Sequence, residues 1–93
     1  MPDDWLVAAD DRTGAYEVAG LLADREGVLV HARSVSSRPH VDGVIDLGTR
    51  HLDPSAAAEV AASLPVTTWA AHKIDSTLRG NWAHEVRARR LAT

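Results

Sequence analysis

The sequence of 93 residues contains no cysteine, which excludes disulfides, zinc–thiolate sites, iron–sulfur clusters and thiol nucleophiles. It also lacks phenylalanine, and Lys73 is its only lysine. No apolar run approaches the roughly 20 residues of a membrane span. The N-terminus has neither the basic region nor the apolar stretch of a signal peptide. We therefore expect a cytoplasmic protein with no membrane partner.

Basic residues are in the minority, with 10 against 13 acidic residues and a formal net charge of -3. Nucleic-acid binding generally needs a basic surface that displaces counterions, so we expect no nucleic-acid partner. Hydrophobic residues make up 45% of the chain, which argues against intrinsic disorder. The length limits the chain to one small domain. Its many alanines are typical of close-packed helices that cover a sheet.

Short apolar runs alternate with helical patterns along the chain. Strands are predicted at residues 5–9, 28–32, 43–47 and 66–71, and helices at residues 14–25, 54–63 and 82–91. Thr13, Asp53 and Asn81 are predicted to cap the helix N-termini, and Gly27 is predicted to end the first helix. This alternation indicates an α/β fold with a parallel sheet of about four strands and flanking helices, a truncated Rossmann-like layer.

Polar groups follow three of the predicted strands, at residues 9–14, 46–50 and 72–81. The carboxyl ends of parallel strands share one edge of a sheet, and ligands bind in the crevice there. We therefore expect the three groups to converge on one site. In particular, Asp10, Asp46 and Asp75 should lie at the same edge.

The first two groups also have purely structural interpretations. Asp10 and Asp11 can end a strand and help to cap a helix. Asp46 can pair with an arginine elsewhere, and Arg50 can be a solvated loop residue. The third group is more specific, because it places Lys73 among many different donors within nine residues. Arginine can bind a carboxylate through two parallel hydrogen bonds, and aspartates accept from sugar hydroxyls. The pattern therefore predicts recognition of a small, anionic, hydroxylated molecule.

Other chemical signatures are absent from the sequence. It contains no Walker A motif, no G-x-G-x-x-G, no H-E-x-x-H and no G-x-S-x-G. The five histidines are interpreted as scattered surface or loop residues. No metal site is predicted.

The three groups together resemble motifs of the four-carbon acid sugar kinase family. Its A-D-D-x-T-G-A is matched by residues 9–15, and its D-x-x-T-R-x-L-x-P by residues 46–54. Its most distinctive string, K-I-D-S-T-L-R-G-N, is reproduced without a gap by residues 73–81, and Glu85 follows. The first motif is weak alone, whereas the third is specific. Arg12 stands where the family usually has an apolar residue, and His72 where an aromatic residue or lysine is more common.

The resemblance implies a function and a set of site residues. Such enzymes phosphorylate four-carbon sugar acids, of the threonate or erythronate type, with ATP and a divalent cation. An N-terminal domain holds the sugar acid, and a C-terminal domain holds the nucleotide. The substrate-binding residues implied are Asp10, Asp11, Arg50, Lys73, Asp75, Ser76 and Arg79. The supporting residues are Thr13, Gly14, Asp46, Gly80 and Asn81. No catalytic base is identified.

The resemblance covers nearly all of this chain but only the opening part of the family's N-terminal domain. We therefore expect residues 1–93 to form a partial substrate-binding domain that lacks the ATP-binding domain and is not catalytically competent alone. The partners implied are a small sugar acid and a separate chain that carries the nucleotide-binding domain.

Two other interpretations remain open. The first is a degenerate remnant that binds nothing. The second is a receiver-like signalling domain, which would use Asp10, Asp11, Asp46 and Lys73. Spacing disfavours the receiver, because only 26 residues separate Asp46 from Lys73, too few for the two strands and helix usually found there.

Overall fold

Strands and helices alternate along the chain in the computed structural model, which describes residues 4–27, 30–35, 42–74 and 78–91. The elements are β1 (Trp5–Ala9), α1 (Arg12–Glu26), β2 (Ala32–Ser34), β3 (Gly43–Asp46), α2 (Pro54–Ala62), β4 (Trp69–Lys73) and α3 (Trp82–Leu91). All strand pairs are parallel, in the order β2-β3-β1-β4. The predicted α/β class with a four-stranded parallel sheet is confirmed.

The sheet buries apolar side chains on both faces. One face carries Trp5, Ala9 and Val44, which pack against Ala15 and Ala19 of α1. The opposite face packs against α2 and the segment after it, and α2 also lies against α3. That core contains Leu6, Ala8, Ile45, Leu47, Ala61 and Leu64. Helices therefore lie on both faces, as all-parallel sheets require.

The helix ends follow local capping chemistry. The carboxylate of Asp11 accepts a hydrogen bond from the Gly14 backbone N–H at 2.8 Å, so α1 begins at Arg12. The predicted start at Gly14 with Thr13 as the N-cap is therefore wrong, because Asp11 caps the helix two residues earlier by accepting from the Gly14 N–H. Asp53 caps α2 as predicted, accepting from the Ala56 N–H at 2.9 Å. Gly27 ends α1 with a φ of 68°, also as predicted.

Strand β2 lies later in the chain than predicted. It spans Ala32–Ser34 instead of residues 28–32, and residues 28 and 29 lie outside the described part. Its register with β3 pairs Ala32 with Val44 and Ser34 with Asp46. Pairing with β3, and not the preceding apolar run, therefore decides which residues form this strand.

Strand β4 is also shifted, to Trp69–Lys73 from the predicted residues 66–71. The backbone N–H and the hydroxyl of Thr68 donate to the Asp4 carboxylate at 3.1 and 3.4 Å. These bonds hold the chain outside the ladder until Trp69. The strand then continues through His72 and Lys73, which pair with β1 although they were predicted to lie in a loop.

Strand β4 is an edge strand that pairs with β1 and, among the described residues, with no strand on its other side. Trp69 is 64% exposed, and Ala70 and Ala71 are exposed as well. This side of the sheet is therefore less covered than the centre around β1. Within the described ranges, no helix is both long and apolar enough to cross a bilayer.

Candidate functional site

The carboxyl ends of β1, β3 and β4 meet at one edge of the sheet. The chain leaves β1 toward α1 on one face, and leaves β3 and β4 toward α2 and α3 on the other face. Such a divergence opens the crevice in which α/β proteins bind ligands. A cleft of about 320 Å³ lies there. We call it the rim cleft; it is lined by Asp11, Thr13, Gly14, Glu17, Arg50, Lys73 and Arg79.

An ion cluster forms the inner wall of the rim cleft. The Arg50 guanidinium donates to both oxygens of Asp10, from Nε at 3.2 Å and from Nη2 at 3.0 Å. Its Nη1 lies 3.0 Å from Oδ2 of Asp11. All three guanidinium nitrogens of Arg50 therefore contact carboxylates, and this residue holds two acids in a fixed arrangement.

The Asp10 carboxylate lies beneath the cleft. Asp10 is 4% exposed and does not line the rim cleft. Gly80 passes directly over it with a φ of 86°, and a Cβ atom at Gly80 would overlap Oδ2 of Asp10. Both the backbone conformation of Gly80 and the space beside it therefore require glycine. Asp10 anchors Arg50 here and has no open face toward a ligand.

Asp11 is the carboxylate that faces the cleft. Its Oδ1 caps α1 through Gly14, its Oδ2 contacts Arg50, and its side chain is 28% exposed. Each oxygen retains acceptor capacity, since a carboxylate has about four lone-pair sites. A Cβ atom on Gly14 would lie 3.0 Å from Asp11 Oδ1 and 3.5 Å from Lys73 Cγ. The tight approach is therefore to the Asp11 carboxylate, whereas Lys73 would meet the added atom at an ordinary contact distance.

Lys73 and Arg79 also line the rim cleft and supply positive charge there. Lys73 Nζ donates to the Ile74 carbonyl at 2.9 Å and lies 3.8 Å from Glu17 Oε2. Arg79 is exposed, and its neighbours Leu78 and Gly80 both have positive φ, 61° and 86°. The cleft combines fixed cations with carboxylate acceptors, which suits an anion that also carries hydroxyl groups.

Some predicted residues lie elsewhere or outside the described part. Asp46 shares the edge with Asp10, but its Oδ1 accepts from the Gly48 N–H at 2.9 Å. It lines a separate cleft of about 140 Å³ together with Arg12 and Arg33. Asn81 Nδ2 donates to the carbonyls of Leu52 and Thr49, at 2.7 and 3.4 Å. Asp75 and Ser76 lie outside the described residues.

A buried polar network lies beneath the edge, and the sequence did not reveal it. Glu85 of α3 has no exposed surface; its Oε2 accepts from the Thr49 hydroxyl and its Oε1 lies 2.8 Å from His72 Nε2. Arg89 donates to the Ala71 carbonyl at 2.6 Å and lies 3.3 Å from His72 Nδ1. Burial lowers the pKa of Arg89 below its ordinary value.

This network corrects one sequence interpretation. The His72 side chain is only 6% exposed, so it is not a surface or loop histidine. Arg89 packs against the sheet, because it donates to backbone carbonyls of two strands. The spacing of His72, Glu85 and Arg89 in the sequence does not by itself indicate that their side chains meet. Only the fold shows this contact.

We predict that Gly80→Ala destabilises the domain by about 1–3 kcal/mol, because alanine at positive φ is strained and its methyl group displaces Asp10. The matched control is Gly20→Ala in α1, where nothing lies within 4 Å of an added Cβ. That change should stabilise the domain by about 0.5–1 kcal/mol. Urea denaturation measures both, and equal effects of the two substitutions would contradict the close approach over Asp10.

We predict that Arg50→Ala lowers the free energy of unfolding by about 3 kcal/mol, because it leaves the buried Asp10 carboxylate without its cation. Arg87→Ala, on the exposed side of α3, should change stability by less than about 0.5 kcal/mol. A double-mutant cycle with Asp10→Ala checks the pairing. Additive losses in that cycle would show that the two side chains do not support each other.

The sequence matches the model of a family described as "Sugar-binding N-terminal domain" over residues 5–93, almost the whole chain. No curated protein and no solved structure gives a significant match. The match replaces the receiver-like interpretation. The chain therefore belongs to the family of sugar-binding N-terminal domains of the four-carbon acid sugar kinases.

Proposed function

We propose that this domain binds a four-carbon sugar acid, of the threonate or erythronate type, in the rim cleft. The observation that carries the proposal is the meeting of Lys73, Arg79 and Asp11 around one cleft at the carboxyl edge of the sheet. A sugar acid presents one carboxylate and several hydroxyls. Cations fit the first, and a carboxylate with open acceptor positions fits the second.

Arg79 is the residue we propose for the substrate carboxylate. Its planar fork can donate two parallel hydrogen bonds to a carboxylate, which a lysine ammonium cannot do. It also precedes the N-terminus of α3, whose free N–H groups add to the positive potential. Arg50 has a different proposed role, which is to hold Asp10 and Asp11 through its guanidinium.

Lys73 and Asp11 then serve the hydroxyl groups of the sugar acid. Asp11 accepts from them, and Lys73 donates to them while offsetting the negative charge of the cluster. Asp10 and Arg50 hold Asp11 in position from below. The family motif adds Asp75 and Ser76 to the proposed substrate-binding set, and both stay predictions because they lie outside the described residues.

We further propose that the domain is the acceptor-binding part of a kinase, which a nucleotide-binding domain completes. The family implies ATP with a divalent cation. Within residues 4–27, 30–35, 42–74 and 78–91, no three histidine, aspartate or glutamate side chains form a group that could hold a metal ion. Asp10 and Asp11 are paired with Arg50. We therefore assign no step of phosphoryl transfer to this chain.

Titration calorimetry with threonate and erythronate, each in both enantiomers, tests the binding proposal. Arg79→Lys should weaken binding by about 1–2 kcal/mol, because it keeps the charge and loses the fork. Arg79→Ala should weaken binding further. Arg87→Ala is the control and should bind like the wild type, since it lies on the exposed side of α3 away from the rim cleft.

Two outcomes would contradict the binding proposal. Equal affinity of the wild type and Arg79→Ala would remove Arg79 from the site. Failure of the wild type to bind any of the four acids would instead favour a degenerate remnant.

A turnover assay tests whether residues 1–93 need the nucleotide-binding domain for activity. The chain of 93 residues, supplied with ATP, Mg²⁺ and the same four acids, should form no ADP above background. Phosphoryl transfer depends on groups that cradle the phosphates and their metal, and we propose that the nucleotide-binding domain provides them. ADP formation that co-purifies with residues 1–93 would contradict this proposal.

A further inference from the structure

Glu85 occupies an unusual place in the fold. It lies in the first turn of α3 and has no exposed surface. A carboxylate in such a place is costly unless hydrogen bonds satisfy it. Thr49 donates to one oxygen, and His72 lies 2.8 Å from the other. Glu85 therefore ties α3 at once to the loop after β3 and to the end of β4.

The neighbours of His72 fix the direction of these hydrogen bonds. Arg89 has only donor groups and lies 3.3 Å from His72 Nδ1, so Nδ1 is the acceptor. The neutral imidazole then carries its proton on Nε2 and donates it to Glu85. Both carboxylate oxygens of Glu85 thus accept, and Arg89 lies beyond the imidazole as the nearest cation of this network.

Thr49 connects this network to the rim cleft. It is fully buried, and its backbone N–H donates to the Asp10 carbonyl at 3.0 Å. The next residue is Arg50, whose guanidinium holds Asp10 and Asp11. Because hydrogen bonds hold both the backbone and the hydroxyl of Thr49, the backbone of the next residue, Arg50, has little conformational freedom.

We propose that Glu85 is a positioning residue for the sugar-acid site, acting through the Thr49 hydroxyl to hold Arg50 against Asp10 and Asp11. The expected effect of Glu85 on sugar-acid affinity rests on the proposed function. The positioning of Arg50 by Glu85 does not, because it is a property of the free protein. Among the described residues, Glu85 hydrogen-bonds to Thr49 and His72, which do not line the rim cleft, so its effect on a ligand is indirect.

The experiment uses Thr49→Val, which removes the hydroxyl and keeps the shape, together with Glu85→Gln. Thr49→Ser restores the hydroxyl and is the rescue variant. Leu64→Ala, in the core and away from the rim cleft, is the control for a general loss of stability. NMR follows solvent exchange of the Arg50 Nε–H, which donates to Asp10 and is assigned by its disappearance in Arg50→Lys. Calorimetry with threonate measures affinity.

We expect exchange of the Arg50 Nε–H to rise about tenfold in Thr49→Val and Glu85→Gln, and threonate affinity to fall about tenfold, as for one lost hydrogen bond. Thr49→Ser should stay within about twofold of the wild type in both. Leu64→Ala should lower the melting temperature without raising the exchange of the Arg50 Nε–H. If Glu85 contributed only to general stability, Thr49→Val and Leu64→Ala would affect this exchange equally.

The two proposals fail in different ways. Arg50 exchange that is no faster in Thr49→Val than in Leu64→Ala overturns the positioning role, whatever threonate does. Faster exchange in a protein whose wild type binds no sugar acid supports the hold on Arg50 and overturns the proposed function. If Glu85→Gln does not fold, Thr49→Val and Thr49→Ser decide the result alone.

Discussion

The buried carboxylate of Asp10 is the constraint on which the carboxyl edge of the sheet depends. A charge with so little contact to water needs a partner, and Arg50 from the loop after β3 supplies it. The backbone of the same aspartate accepts from Thr49, and Gly80 closes over its side chain. One residue at the end of β1 thus fixes the positions of two loops that are distant in sequence.

The two adjacent aspartates have different tasks as a result. Asp10 faces the protein and organises Arg50, whereas Asp11 faces the cleft and also begins α1. The cap orients the Asp11 carboxylate through a backbone N–H, which is a firmer support than another side chain. The Asp11 carboxylate is therefore held by the helix itself. Arg50, the cation that contacts it, also pairs with Asp10.

Elements with strong local signals were predictable from the sequence. Asp53 and Pro54 define the start of α2, and the apolar run of β1 defines a central strand. Strands β2 and β4 lie away from their predicted positions. Their limits depend on pairing with β3 and β1 and on the Asp4–Thr68 contact, which local sequence patterns do not reveal.

The site was predictable in its location and less so in its detail. The rule for parallel sheets placed the polar groups at one edge. Which carboxylates enter the cleft depends on strand register, and register sends Asp46 toward a different cleft. The network of Glu85 escaped prediction, because it joins Thr49, His72 and Arg89 from three elements with no shared motif.

The edge position of β4 has a mechanical consequence for the rim cleft. Asp11 and Arg50 follow the central strands β1 and β3, where apolar burial is deepest, whereas Lys73 ends a strand that has a neighbour on one side only. Segments with few buried apolar contacts open at a lower free-energy cost than the core. The cleft therefore has one stiff wall and one compliant wall, and a ligand that bridges them would raise the protection of β4 amides against hydrogen exchange more than that of β1 amides.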